Sequence, residues 1–539
     1  MHKSGTEFRP LVLSILLSAF SASSAVRCLG ALTAAQVEAA NEPDLAKLSP
    51  DELDRRLDAA LANRDFDAAE PLLRRATELR PRDFVPVYNL ACVRAAKGDV
   101  AEAGALLVRA VENGFDDYRK LTRDADLTAV RAANNGAGDA NYRKLVDNWA
   151  TVLNARRDAN LAQIRRIFDT VDTDSKVQYT EHIDEKRRFI YRTAYTESEF
   201  NKARAELDAI ADWAEKAVFP GLWNPDEVKL DPWVIIVLPS NRDFEKWLLV
   251  TFGPGVRSGL ATVGGSYVHE RKQLVSQDLG STLRHEFFHV LHWRHLTHTG
   301  IEQPYWVQEG LASLVEDVEP LTPGSDVKPL PSWRTNIALR RERSGTLLPL
   351  ERFAKQSRDK FLSGQQLANY AHARAIFYYL YQQNKLGAWY AAASDPKSPP
   401  DPACLTPFET VFAKPLKDID RDFRAWVRRL PEVAEEIRAG MASLGVEVES
   451  GRGDGLVITS IVEPPGTKER SLLGRSTLRG VRGELKTGDV ITAIDAKPTR
   501  DIADLVRVLS AYKPDDEVRV SYLRKGAPGE ATIRLVVRQ

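Results

Sequence analysis

The run Leu283-Arg-His-Glu-Phe-Phe-His-Val-Leu-His-Trp293 constrains this chain more than any other stretch, because it sets two histidines four positions apart in an apolar segment without Pro or Gly. On a helix such residues project from nearly one face, one turn from each other, so His285 and His289 make a two-toothed clamp for a metal ion. Glu286 points about 100° further round the helix. It is too far round to join the clamp, yet close enough to touch a water held by it. This is the arrangement that metal-assisted hydrolysis needs.

A catalytic metal of this kind takes three protein ligands and leaves one position open. Two residues compete for the third place. Glu309, in Trp306-Val-Gln-Glu-Gly-Leu-Ala312, follows His289 after nineteen intervening residues and would reach the ion from a second helix returning beside the first. His295 has the spacing of the pattern HExxHxxGxxH, which needs a Gly where this chain has His292 and a Met-turn below the metal. The only methionines are Met1 and Met441, so His295 is set aside.

The HExxH-x19-E spacing with its Trp-x-x-Glu-Gly-x-Ala helix resembles the gluzincin metallopeptidases, in particular the peptidase MA-like domains of bacterial extracytoplasmic proteins. The resemblance extends over residues 150–435, although only the two helices carry specific motifs. It implies an α+β zincin-like domain, one Zn2+ held by His285, His289 and Glu309, and Glu286 as general base. It also directs attention to Tyr370-Ala-His-Ala373, which stands where aminopeptidase-type relatives carry Tyr-x-Lys-Gly. Tyr370 matches their oxyanion-stabilising tyrosine, whereas His372 and Ala373 depart from the pattern. The chain has no recognisable Gly-Ala-Met-Glu-Asn amine-binding motif, which argues against selectivity for a free amino terminus.

Residues 1–25 read as an export signal: a basic start with Lys3 and Arg9, the apolar run from Leu11 to Phe20, and small residues at Ser23-Ser-Ala25. That run is short for a membrane span. The expectation is a mature chain without a transmembrane domain, outside the cytoplasm, periplasmic or secreted. Seventy-five basic and seventy-five acidic residues cancel, with no long run of either sign, so nucleic acid is not an expected partner. Three scattered cysteines make no disulfide framework, and Cys92 in its helical apolar run reads as a core residue.

Over residues 45–135 the chain is rich in Ala and Leu at helical period, and Arg64-Asp-Phe-Asp-Ala-Ala69 recurs as Gly98-Asp-Val-Ala-Glu-Ala103, thirty-four residues on. The period resembles tetratricopeptide helix pairs, each of which has an apolar face that only its neighbour can bury. Phe115–Val130 reads as a partial repeat or cap, and Asn134-Asn-Gly-Ala-Gly-Asp139 as a break that marks a domain boundary. Further on, Lys176–Tyr179 and Arg188–Tyr195 read as strands, Glu197–Val218 as a helix, Trp233–Leu238 as a buried strand and Asp243–Val250 as a short helix. Gly264–His269 and Gln273–Ser276 read as a strand pair leading into the metal helix, the first a candidate edge for a substrate backbone.

The last hundred residues make a third domain. Gly455–Val462 and Leu485-Lys-Thr-Gly-Asp-Val-Ile-Thr-Ala-Ile494 read as strands, Ile502–Leu509 as a helix, and Glu517–Tyr522 with Ala531–Val537 as closing strands. Together they resemble a bacterial PDZ domain at 440–539, with a longer connection at 467–484. The resemblance implies a groove for a peptide C-terminus, with backbone amides around Leu444, Gly445 and Val446 holding its carboxylate. The chain is therefore expected to be multidomain: all-α repeats, then the α+β zincin-like domain, then a small β-rich PDZ domain. Its expected activity is zinc-dependent hydrolysis of peptide bonds in a peptide or protein substrate. The rival expectation is an inactive peptide-binding adaptor working through the repeats and the PDZ domain.

Overall fold

The computed structural model describes residues 45–171, 178–223, 232–238, 241–253, 265–268, 272–299, 301–322, 324–363, 365–399, 401–450, 455–462 and 485–538. The export signal, Cys28, His269 and the 467–484 connection lie outside the described residues.

The first unit is helical. Four helices, α1 (Pro50–Ala62), α2 (Phe66–Leu79), α3 (Phe84–Ala96) and α4 (Val100–Glu112), pack each against the next. Their starts are written locally: Ser49, Asp65, Asp83 and Asp99 each accept a first-turn amide on the side chain, satisfying donors that a helix leaves open. The thirty-four-residue repeat has a physical content. Arg64 and Gly98 turn the chain at positive φ, the Asp after each caps the next helix, and Ala69 and Ala103 are fully buried where helices meet. Phe115–Val130 folds into short helical turns, Tyr118–Arg123, Ala125–Leu127 and Thr128–Ala132. The Asn134–Gly136 turn is present with positive φ, but the unit's core continues past it. Tyr142 and Leu145 of α5 (Ala140–Asp147), with Trp149 and Leu153 of α6 (Trp149–Val171), belong to the same apolar cluster.

The second unit begins within α6 and holds a mixed sheet, an antiparallel sheet and a two-stranded pair with their helices. Its first sheet runs β1-β2-β3-β5-β4, from β1 (Thr180–Asp184), β2 (Phe189–Thr193), β3 (Trp233–Val237), β4 (Gly265–Val268) and β5 (Gln273–Ser276). β2, β3 and β5 are parallel, while β1 and β4 join antiparallel at the two edges. Of the strand expected at Lys176–Tyr179, residues 176 and 177 lie outside the described residues, Gln178 and Tyr179 are in no strand, and β1 is Thr180–Asp184. Its charged sequence Thr-Glu-His-Ile-Asp conceals it, since an edge strand is held by ladder bonds to β2 and by Glu181 receiving Arg165 and Arg192 rather than by apolar alternation. β3, Trp-Val-Ile-Ile-Val, is buried throughout, as a central parallel strand must be. Around this sheet lie α7 (Glu197–Ala217), α8 (Asn241–Phe252), α9 (Ser281–Thr299), α10 (Tyr305–Leu314), α11 (Trp333–Arg343) and α12 (Gln366–Gln382).

Among its described residues the C-terminal module is β-rich, with the helix α13 (Ile502–Leu509). Its sheet runs β12-β11-β9-β8-β7, from β7 (Val446–Ser450), β8 (Leu456–Ile461), β9 (Val490–Ile494), β11 (Glu517–Arg524) and β12 (Ala527–Arg534). Three two-residue strands flank it: β6 (Ala442–Ser443) pairs with β13 (Val536–Val537), and β10 (Lys497–Pro498) with β9. The Gly488-Asp489 turn explains its own residues. Gly488 takes φ +90, and the buried Asp489 accepts the Lys486 amide at 2.7 Å and both forks of Arg524 at 2.8 and 2.7 Å.

Candidate metal centre

β5 ends in a turn where the Asp278 side chain accepts the Gly280 amide at 2.8 Å, and from it α9 starts under the sheet, packed against β4, β5, α7 and α10. Its inward face carries His285 (0 % exposed), Glu286 (0 %) and His289 (5 %). α10 returns beside it and brings Glu309, 1 % exposed. That approach depends on Gly310: a Cβ there would lie 2.3 Å from the Phe377 ring and 2.9 Å from the Ala373 carbonyl of α12. Gly265 plays the same part on β4, where a Cβ would lie 2.6 Å from the Cγ of Glu286.

Three donor atoms converge. The Nε2 atoms of His285 and His289 are 3.1 Å apart, and Glu309 Oε2 lies 3.3 Å from the first and 3.6 Å from the second. The three ligand atoms fall within 4.8 Å of one another, so the group could hold a metal ion. The fit is chemical as well as spatial. Two imidazole nitrogens and one carboxylate oxygen suit zinc. Both oxygens of Glu309 and both of Glu286 are buried without a hydrogen-bond partner, a costly state for protein groups left to themselves. Glu286 lies beside the cluster and outside it, as its place on the helix dictates.

The imidazoles are held from behind. His285 Nδ1 donates to Glu316 Oε1 at 2.7 Å, which leaves the Nε2 lone pair for the ion. Glu316 is in turn gripped by Arg334, whose Nε and Nη2 donate at 2.6 and 2.9 Å. The Tyr267 ring of β4 stacks on His289 at 5.8 Å. Tyr370 of α12 is fully buried, with its hydroxyl 3.1 Å from that of Tyr305 at the start of α10. His295 is turned away: its Nδ1 meets the Tyr390 hydroxyl at 3.0 Å and its ring stacks on Phe219.

The electrostatics follow from burial and proximity. Desolvation pushes the Glu286 carboxyl up to about 8, with the charges of Glu309 and Glu316 adding and His285 opposing. Burial resists charge on Glu309 too, but His289 and His285 outweigh it and hold that carboxyl low. Glu316 is held down to about 2, because Arg334 and His285 overcome its burial. Burial likewise opposes a proton on His285, yet Glu309 and Glu316 together raise it to about 10. A pocket this negative around two imidazoles favours a cation.

The sequence singled out His285, Glu286, His289, Glu309 and Tyr370, and the fold gathers all five. Glu316, Arg334, Tyr305 and Tyr267 had no assigned part. The acidic pair Glu316-Asp317 closing an apolar helix was the available signal, since a buried carboxylate needs a partner. In the C-terminal module Leu444 is buried, and Gly445 turns at φ +71 with its amide donating to Ser443 Oγ at 3.2 Å and its carbonyl accepting from Val462 at 2.9 Å. Val446 opens β7, the last strand of its sheet, with α13 packed beside it.

Residues 442–535 match the family model described as PDZ domain. This part of the chain is a PDZ domain. A PDZ domain implies binding of a peptide. Among solved structures, the chain is similar to a crystal structure of an aminopeptidase N family protein from Idiomarina loihiensis, at 13% identity over 67% of each chain with a TM-score of 0.24. A likeness at that score carries no argument about this fold. No curated protein sequence matches the chain. Among the described residues, no helix is long and apolar enough to cross a membrane.

Proposed function

We propose that the chain is a zinc-dependent metallopeptidase that hydrolyses peptide bonds outside the cytoplasm, with tetratricopeptide-like repeats before its zincin-like domain and the PDZ domain after it. One observation carries the reading: His285, His289 and Glu309 converge their donor atoms while the buried carboxylate of Glu286 stands unpaired beside them. Zinc, when bound, supplies Lewis-acid polarisation of the scissile carbonyl and acidifies a water.

The chain's own residues supply the rest. Glu286, buried and unpaired beside the three donors, stands where its carboxylate, ionised once a cation is bound, would take a proton and pass it on to the leaving amine. The Glu316–Arg334 pair fixes the tautomer and orientation of His285. The Tyr370–Tyr305 hydroxyl pair offers O–H donors for a developing oxyanion. β4, the last strand of its sheet among the described residues, lies next to α9, where an extended substrate could run alongside the centre.

The test is activity profiling on a broad peptide library, beside Glu286→Gln. That variant should keep its zinc and its fold yet lose about 10²–10⁴ in rate, the usual cost of removing a general base. If the zinc-loaded wild type cleaves nothing above the Glu286→Gln background, the peptidase reading fails. The chain is then a peptide-binding adaptor, the role that the PDZ domain favours.

A further inference from the structure

The PDZ domain carries a charged seam that its own core does not use. Leu505, Val508 and Leu509 of α13 enter the domain's apolar cluster, whereas the buried Arg500 and the partly exposed Arg507 meet residues of the metal-binding region, with the buried Asp504 between them. Arg500 Nη1 donates to the two oxygens of Glu206 on α7 at 3.1 and 3.2 Å. Glu206 Oε2 also accepts from Arg284 Nη1 at 3.0 Å, and the other nitrogens of Arg284 donate to the carbonyls of Val315 at 3.0 Å and Glu316 at 2.7 Å. On its other side Arg500 Nε donates to Asp504 Oδ2 at 2.8 Å, and Asp504 Oδ1 accepts from Arg507 Nη1 at 2.6 Å. Arg507 Nη2 then reaches Asp317 Oδ1 at 3.1 Å.

The two ends of this chain of charges arrive at the same place. Arg284 precedes His285, and Asp317 follows Glu316, the pair whose 2.7 Å hydrogen bond sets the imidazole. Fastening two domains does not require this, because apolar packing of similar volume serves as well as buried ions, or better. Buried charges do specify geometry: each fork admits few arrangements, and here they pin the backbone on both sides of the carboxylate that orients a metal ligand.

We propose that Arg500, Asp504 and Arg507 are positioning residues for the metal centre, so that the PDZ domain braces the His285–Glu316 pair from behind. The inference rests on the metal-site reading given above. α13 is also the helix beside β7, so the brace makes one wall of the peptide groove continuous with the support of the metal site.

The test is the zinc affinity of the full chain, measured by competition with a chromophoric chelator, in Arg507→Ala, Arg500→Met and Glu206→Gln. Loss of outer support costs about 10–100-fold in metal affinity where it has been removed elsewhere, and a weakening of about tenfold is expected here, with kcat falling and KM little changed. Arg507 is about one-third exposed, so its replacement leaves the PDZ core intact. Arg500→Lys, and the exchange Arg507→Asp with Asp317→Arg, should recover much of the lost affinity. Equal losses in these rescue variants would assign the effect to damaged packing and overturn the proposal, as would wild-type zinc affinity in variants that melt with the wild type. If the wild type binds zinc and cleaves peptides while the brace variants match it in both, the brace fails and the peptidase reading stands. If the wild type binds zinc without cleaving, the affinities still decide the brace. If it binds none, both fail.

Discussion

At the scale of single residues, the candidate centre is defined by which side chains turn their donor atoms toward one another and which face another protein group. His289 and Glu309 offer donor atoms to the cluster, while His295 is committed to Tyr390. His289→Ala and Glu309→Ala should therefore lose most of the bound zinc, and His295→Ala should retain about one ion per chain. Elemental analysis of purified protein decides this, and an empty His295→Ala with a full Glu309→Ala would reverse the assignment. Glu316 gives a pH dependence whose sign can be worked out. Its carboxyl is held at about 2 against an ordinary 4.5, so its stabilisation is complete above 4.5 and is lost as pH falls through that range toward 2. The shift corresponds to roughly 3 kcal/mol in metal-stripped protein. Glu316→Gln should be less stable by about that amount at neutral pH, with the gap to wild type narrowing in urea midpoints taken at pH 3.

At the scale of elements, the close approach of α10 to α12 decides where Glu309 stands. Gly310→Ala places a methyl carbon within 2.3 Å of Phe377 and 2.9 Å of the Ala373 carbonyl, and a backbone atom cannot swing aside as a side chain can. Overpacking of this kind costs about 1–3 kcal/mol. Calorimetry should show a lower melting temperature for the unit, and zinc titration a weaker site, because α10 moves with Glu309 on it. An unchanged melting profile would mean that the two helices separate more easily than their packing indicates. The two helices that make the centre were legible from spacing, since a four-residue interval and a Trp-x-x-Glu-Gly run state a helical face directly. β1 was not, because a charged edge strand takes its identity from its partner's ladder.

At the scale of the molecule, the second unit joins the group that could hold a metal to the PDZ domain through buried and half-buried charges. If the loop at Leu444–Gly445 receives a carboxylate, peptides with a free C-terminus should bind the full chain more tightly than amidated copies, as read by fluorescence anisotropy. In the structure the Gly445 amide donates to Ser443 Oγ. Carboxylate recognition would then need that hydroxyl to give up the amide, and Ser443→Ala should strengthen binding of the free-acid peptide severalfold. Equal binding of both peptide forms would show that the groove takes a strand without reading its end.

The amino-acid sequence by itself determined the helical period, the three side chains that could hold a metal with Glu286 beside them, and the PDZ domain, because each is written at short range: a cap and a buried Ala at a fixed interval, two imidazoles one turn apart, a Gly-Asp turn between apolar strands. Only the tertiary structure decided what stands behind the ligands. Glu316 and Arg334 are separated along the chain from each other and from His285, and Arg500 and Arg507 lie some two hundred residues beyond the metal helix. Nothing in the local pattern around an arginine says which carboxylate it will meet. A buried charge is tolerated only with its partner in place, and that partner is chosen by the packing of whole elements.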